Sequence, residues 1–288
     1  MLCRKEFIMR KLLYVLVMSL AVAGNLYATD ETTAGDKKTL QIEGSTTVGP
    51  IVDAFSEAFK SDFPELEITV KKTGSGDGAA ALIDGRCDIA TLSRFLKDDE
   101  IKKAMENGVF PVAHAIAMDA VCVVVHPSNP ITQLTTAQIR DIYTGRIKNW
   151  KDVGGTDMPI VIISRDTSSG TYESFNHLVM NKEQMAAGVE YVSSNPQAHS
   201  RVKTTAGAIG YIGIGFVDKE VKALKVDGIA PTNETVINGV YPIARPLFLF
   251  TNGYPKLGSI VHKFCMYYLS ETGQEIVQAK GFVPFTKY

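Results

Sequence analysis

TLQIEGSTTVGPIVDAFSEAFKSDFPELEITVKK, residues 39–72, is the stretch whose reading decides the fold class. TLQIEG (39–44) reads as a strand, and PIVDAFSEAFKSDF (50–63) as a helix with Ile51, Phe55, Ala58 and Phe59 on one face. Pro64 ends that helix, and LEITVKK (66–72) reads as a second strand. Strand, helix and strand in this order predict an α/β fold with mainly parallel sheet.

The alternation continues outward. GAAALIDG (78–85) reads as a short helix, CDIATLS (87–93) as a strand, and DDEIKKAMENG (98–108) as a helix capped by Asp98. VAHAIAMDAVCVVVHP (112–127) then breaks the rhythm. It is too β-branched for a helix and too long for one ordinary strand, and Asp119 lies inside it. YPIARPLFLFT (241–251) is a second such stretch, and the two fit a pair of crossovers between lobes. Between them runs another α/β set: the helix of TTAQIRDIYTG, strand PIVIIS, helix GTYESFNHLVM, helix NPQAHSRVKTTAG and strand AIGYIGIG. Helices LGSIVHKFCMYYLS and ETGQEIVQAKG close the chain onto the first lobe. The expected division is residues 39–118 plus 246–288 in one lobe and 119–245 in the other.

Residues 1–28 stand apart. Arg10 and Lys11 precede LLYVLVMSLAVAG, an apolar run too short for a comfortable membrane span and followed by small residues, as in a secretory signal peptide. No cysteine follows the run to carry a lipid, so the expected product is free in an exported compartment. The leader removes Arg4, Lys5, Arg10, Lys11 and Glu6 from totals of 30 basic and 31 acidic residues, leaving a net charge of −4. No basic stripe of a nucleic-acid binder is present, and any anion must be held by a local site. Cys87, Cys122 and Cys265 lie in apolar or helical settings and read as buried free thiols, with a Cys87–Cys122 bridge as the alternative. No CxxC or HExxH spacing supports a metal site, and no cofactor is expected.

Four strand ends carry small hydroxyl residues. EGSTTVGP (43–50) brings Ser45, Thr46 and Thr47 to a strand–helix junction, with Pro50 placed for the first turn. TGSGDGAA (73–80) brings Ser75, Gly76, Asp77 and Gly78, and TLSRFLKDD (91–99) brings Ser93 and Arg94. SRDTSSGTYESF (164–175) follows an apolar strand with Arg165, Ser168, Ser169, Gly170 and Thr171, then a helix with Tyr172, Phe175 and Leu178 on one side. One serine would suffice as a cap; four small residues and an arginine exceed that need. Helix N-termini leave unpaired N–H groups and a positive dipole end, which suits an anion. In open α/β sheets, ligands bind beyond the carboxyl ends of strands. Hydroxyls, guanidinium forks and closely approaching glycine backbone together suit a tetrahedral oxyanion.

The motifs GSTTV, GSGDG, DIATLSR, NWKDVGG, SRDTSSGT, GAIGYI, VKALKVDGIAPT and YPIARPLFLFT, between Leu40 and Pro284, jointly resemble those of the phosphate-binding (PstS-like) subunits of ABC-type phosphate importers. These are class II periplasmic binding proteins. The resemblance implies two lobes, each a mostly parallel sheet flanked by helices, joined by two crossovers and closing on inorganic phosphate. It implies a membrane permease as partner, a monomer, and no enzymatic activity. Carried over by position, it implies phosphate contacts from Ser45, Thr46, Thr47, Ser75, Ser93, Arg94, Arg165, Ser169, Gly170 and Thr171. The chain departs from the pattern where longer members place a carboxylate and this one has Arg94. Asp119, in the first crossover, is then the expected acceptor of the phosphate proton, with Asp77 in reserve. Another oxyanion (sulfate, molybdate or tungstate) is the near alternative. A phosphatase or serine hydrolase is the distant one, since no GxSxG elbow occurs and no histidine neighbours a nucleophile.

Overall fold

The computed structural model describes residues 38–286. In chain order the elements are β1 (Thr39–Gly44), α1 (Gly49–Asp62), β2 (Glu67–Lys71), α2 (Ser75–Ile83), β3 (Ile89–Leu92), α3 (Asp98–Glu106) and β4 (Pro111–Val125). Then follow β5 (Gln133–Leu134), α4 (Thr136–Tyr143), β6 (Val161–Arg165), α5 (Gly170–Leu178), β7 (Glu190–Val192), α6 (Asn195–Thr204) and β8 (Ala208–Gly213). β9 (Lys222–Ala223), β10 (Lys225–Val226), α7 (Asn233–Ile237), β11 (Ala244–Asn252), α8 (Ile260–Met266) and α9 (Glu271–Ala279) complete the described chain.

The predicted βαβ start is present: β1 pairs in parallel with β2 on one side and β3 on the other. β8, β6 and β7 form a second parallel leaf. Between the leaves stand β4 and β11, antiparallel to each other. The two crossovers are therefore not separate tethers; they pair side by side and make one continuous sheet. β4 manages this through its length, since Pro111–Ala120 pairs β11 while Val121–Val125 pairs β8. Its first part thus faces one leaf through β11, and its last part borders the other directly.

The apolar cores divide at the same strands. One gathers residues between Ala120 and Ile243, together with Val283. Two others gather residues from Leu40 to Ala117 and from Leu247 to Phe282. α1 seats Ile51, Val52, Phe55 and Phe59 in the first leaf's core, as the spacing predicts, while Ala58 falls at the edge of that buried face.

Local expectations are corrected at three points. α2 begins at Ser75, not Gly78. Asp98 does not cap α3: it is the first helical residue, and the extended backbone belongs to Lys97, whose N–H donates to the Glu100 carboxylate at 2.9 Å. Leu178 is 41% exposed although Phe175 is buried, because six residues past Tyr172 a helix has turned beyond the apolar stripe. The three cysteines within the described residues are free thiols, and burial pushes Cys87 and Cys265 up to about 12. The leader falls outside the described residues. Among those described, no helix is long and apolar enough to cross a membrane.

Candidate anion-binding site

The carboxyl ends of β1, β2, β3 and β6 meet at one place, from both leaves. Their contacts join residues far apart in sequence. The Gly76 N–H donates to the Ser168 carbonyl at 2.9 Å, the Thr47 and Thr171 hydroxyls lie 3.0 Å apart, and Arg165 Nη2 donates to Thr46 Oγ1 at 3.3 Å. At the edge, Lys97 Nζ lies 2.6 Å from Glu173 Oε1.

Two glycines make this approach possible. Gly44 turns β1 into the hydroxyl run with φ of 138°, and a Cβ there would lie 2.2 Å from the Thr91 carbonyl oxygen. A Cβ on Gly170 would come within 2.4 Å of Ser75 Oγ and 2.6 Å of Ser93 Oγ. The first residue of α5 therefore packs directly against the serines of the opposite leaf.

The hydroxyls at the two helix approaches are prepared as donors. Ser45 Oγ accepts from the Thr47 and Val48 N–H groups at 3.1 and 3.3 Å. Ser169, the N-cap of α5, accepts from the Thr171 and Tyr172 N–H groups at 3.2 and 3.3 Å. A hydroxyl has two lone pairs and one hydrogen, so each of these serines keeps only its hydrogen to offer. Both are buried. Ser75 and Ser93 are buried as well, 3.3 Å apart, with the Ser93 N–H donating to Ser75 Oγ at 3.1 Å.

Arg165 is 1% exposed. Its Nε donates to the Val192 carbonyl and Nη2 to the Ser193 carbonyl, at 3.2 and 2.7 Å, while Nη1 is buried without an acceptor among the described residues. No carboxylate within those residues lies at salt-bridge distance. Burial pushes the guanidinium down to about 10, so it remains charged at neutral pH.

The other expected charges sit differently. Arg94 turns its fork onto Glu100, with Nη1 to Oε2 and Nη2 to Oε1 both at 2.7 Å, and Nη1 also reaches the Phe95 carbonyl. It is thus a neutralised pair beside the site, its Nε buried and unpartnered, and the expectation of a free anion-binding fork is corrected. Asp119 is fully buried. Burial pushes its carboxyl up, and the Arg245 guanidinium works against that push. Arg245 Nε and Nη2 both donate to Oδ2, at 2.9 and 2.8 Å, and the Ile214 N–H donates to Oδ1 at 3.0 Å. Asp119 is the counter-ion of Arg245. Asp77 is exposed and lies near Asp166, whose Oδ1 accepts from the Ser168 hydroxyl at 2.8 Å. Burial, Asp166 and Glu43 together push the Asp77 carboxyl up.

Two residues of the constellation escape the sequence reading. Arg245 lies directly opposite Asp119 in the β4–β11 register and also reaches α5, through the Gly170 carbonyl, Ser174 Oγ and Thr171 Oγ1. Asn195 links Thr47 Oγ1 to the Gly213 N–H. The signal for Arg245 was present: a lone cation in the second crossover, matching the lone acid in the first.

A family model described as a PBP superfamily domain matches residues 29–272. The phosphate-binding protein PstS of Borreliella burgdorferi is 34% identical over 259 residues, covering 86% of this chain and 90% of that one. Protein SphX of Synechococcus elongatus is 30% identical over 285 residues, covering 94% and 84%. Among solved structures, a candidate phosphate ABC transporter substrate-binding protein from Clostridium perfringens, with bound phosphate, superposes with a TM-score of 0.79 at 36% identity. It covers 86% of this chain and 100% of that one. An ABC-type phosphate transport receptor from Vibrio cholerae gives 0.70 at 32% identity, covering 85% and 99%. The chain belongs to the PBP superfamily and, within it, to the PstS-like proteins.

Proposed function

We propose that this protein captures inorganic phosphate between its two leaves and delivers it to the membrane permease of an ABC-type phosphate importer. One observation carries the reading: the Arg165 guanidinium is sealed from water with no carboxylate partner and one nitrogen without an acceptor. A buried charge of that kind is costly unless an opposite charge joins it. Around it, Ser45 and Ser169 keep hydrogens to donate, and the N-terminus of α5 adds its dipole. The names of the PstS relatives, and the phosphate bound in the Clostridium perfringens structure, point to which oxyanion.

In this reading Ser45, Thr46, Thr47, Ser75, Ser93, Arg165, Ser169, Gly170 and Thr171 line the phosphate site. Arg245 and Asn195 hold the lining in place. The lobes are residues 39–118 plus 246–288 and residues 119–245, hinged near 117–121 and 243–247; the division of the apolar cores supports these limits. The apolar leader supports export to the periplasm, where the protein works as a monomer and a carrier, not an enzyme. Calorimetric titration with phosphate, sulfate and molybdate tests the reading. Phosphate is expected to bind at roughly 1 μM or tighter. No heat with phosphate, or a stronger response to sulfate or molybdate, overturns it.

A further inference from the structure

A phosphate that still carries a proton needs an acceptor as well as donors, whereas sulfate needs donors only. Asp119, Asp166, Glu100 and Glu173 are each already engaged by a protein donor. Asp119 takes two bonds from Arg245 on Oδ2 and one from the Ile214 N–H on Oδ1. Asp166 is engaged by Ser168, Glu100 by Arg94 and Glu173 by Lys97. Asp77 is exposed.

The hydroxyls tell a different story. Thr171 Oγ1 accepts from Arg245 Nη2, and Thr47 Oγ1 accepts from Asn195 Nδ2, each at 2.9 Å. Neither bond can reverse. A guanidinium only donates, and the Asn195 amide is oriented by the Gly213 N–H, which donates to Oδ1 at 3.2 Å. The two hydroxyls share one further bond at 3.0 Å. Of their two hydrogens and four lone pairs, one hydrogen and one lone pair remain, whichever hydroxyl donates to the other. Both side chains are buried, so the remaining pair of valences calls for a partner.

We propose that the Thr47–Thr171 pair accepts the ligand's proton and determines specificity, with Arg245 and Asn195 as positioning residues that set its polarity. The proposal rests on the phosphate reading above. One donor beside one acceptor matches a P–OH next to an ionised oxygen; sulfate leaves the acceptor orphaned. The neighbouring Ser75–Ser93 pair suits the role less, because Gly170 already packs against both of its oxygens. A neutral acceptor adds no charge repulsion against sulfate. The preference should therefore be that of one orphaned buried acceptor, about ten- to a hundredfold. Sites that reject an analogue lacking the hydroxyl most strongly reach ~10⁴–10⁵.

The test is competition of phosphate against sulfate at pH 7 in the wild type and in Thr171→Val, Thr47→Val, Thr171→Ser and Asp77→Asn. Each valine should bring the preference close to unity, the serine should keep it, and Asp77→Asn should leave it unmoved. A preference retained in either valine variant, or lost in Asp77→Asn, overturns the proposal. Monofluorophosphate, a phosphate-shaped dianion without a proton at this pH, gives a second measurement on the wild type should a valine variant fail to fold. It should bind about ten- to a hundredfold more weakly than phosphate. Equal binding, or a gap of ~10⁴ or more, points away from a neutral hydroxyl acceptor. A wild type that binds no phosphate overturns the proposed function itself, a distinct outcome.

Discussion

Arg165 and Arg245 are both buried guanidiniums, yet they stand in different electrostatic states. Arg245 is matched by Asp119 and gives all five of its N–H groups to protein acceptors: two to Asp119, and the others to Thr171, Gly170 and Ser174. Arg165 has no such match and keeps an unpartnered Nη1. Arg165→Ala should therefore weaken phosphate binding by at least ~2 kcal/mol, roughly 30-fold, since the dianion loses its one uncompensated cation. Calorimetry reads this directly, and an unchanged affinity removes Arg165 from the site. Asp119→Ala acts on stability instead. It leaves Arg245 charged and buried without its counter-ion, a loss of about 3–5 kcal/mol for a pair of this kind. The check is the urea midpoint of the ligand-free protein; a shift within experimental error would mean that water or another acid replaces Asp119.

At the scale of elements, strand ends and helix starts do the positioning. β6 delivers Arg165, the turn after it delivers Ser169 as the cap of α5, and α5 begins against the serines that follow β2 and β3. Glycine at position 170 is what lets those elements meet, because even a methyl group would overlap both serine oxygens. Gly170→Ala should hold the leaves apart. The expected result is loss of the rise in melting temperature that phosphate gives the wild type, with little change in the ligand-free melt. A full phosphate-induced rise in this variant would show that the serines can move aside. The two long strands also explain a property of the hinge. They are paired with each other, with a register shift between Leu247 and Phe248, so a hinge motion must twist both together.

For the molecule as a whole, donors are divided between the leaves: Ser45, Thr47, Ser75 and Ser93 on one, Arg165, Ser169 and Thr171 on the other. An anion that binds them all draws the leaves together, which is the hinge closure expected of such an arrangement. Small-angle scattering should show a smaller radius of gyration with phosphate than without. Identical radii at saturation would mean that the protein stays closed throughout. Lys97–Glu173, spanning the leaves at the partly exposed edge, should add little to closure, because exposed pairs contribute about 0–1 kcal/mol.

The sequence by itself determined the α/β class, the two long crossovers, the buried apolar faces and the hydroxyl clusters at four strand ends. These follow from local causes: periodicity, turn chemistry and the unpaired groups at helix starts. Tertiary structure alone decided what the charges do. Asp119 and Arg245 are 126 positions apart and meet only through the β4–β11 register. Thr47 and Asn195 are 148 apart and meet only because two parallel leaves bring their strand ends together. Arg94 reads as a ligand fork until Glu100, six residues further on in the first turn of α3, is seen to fill it. A polar side chain's residue type states what it can donate or accept, but the partner that consumes that capacity is chosen by the fold, across distances that no local pattern records.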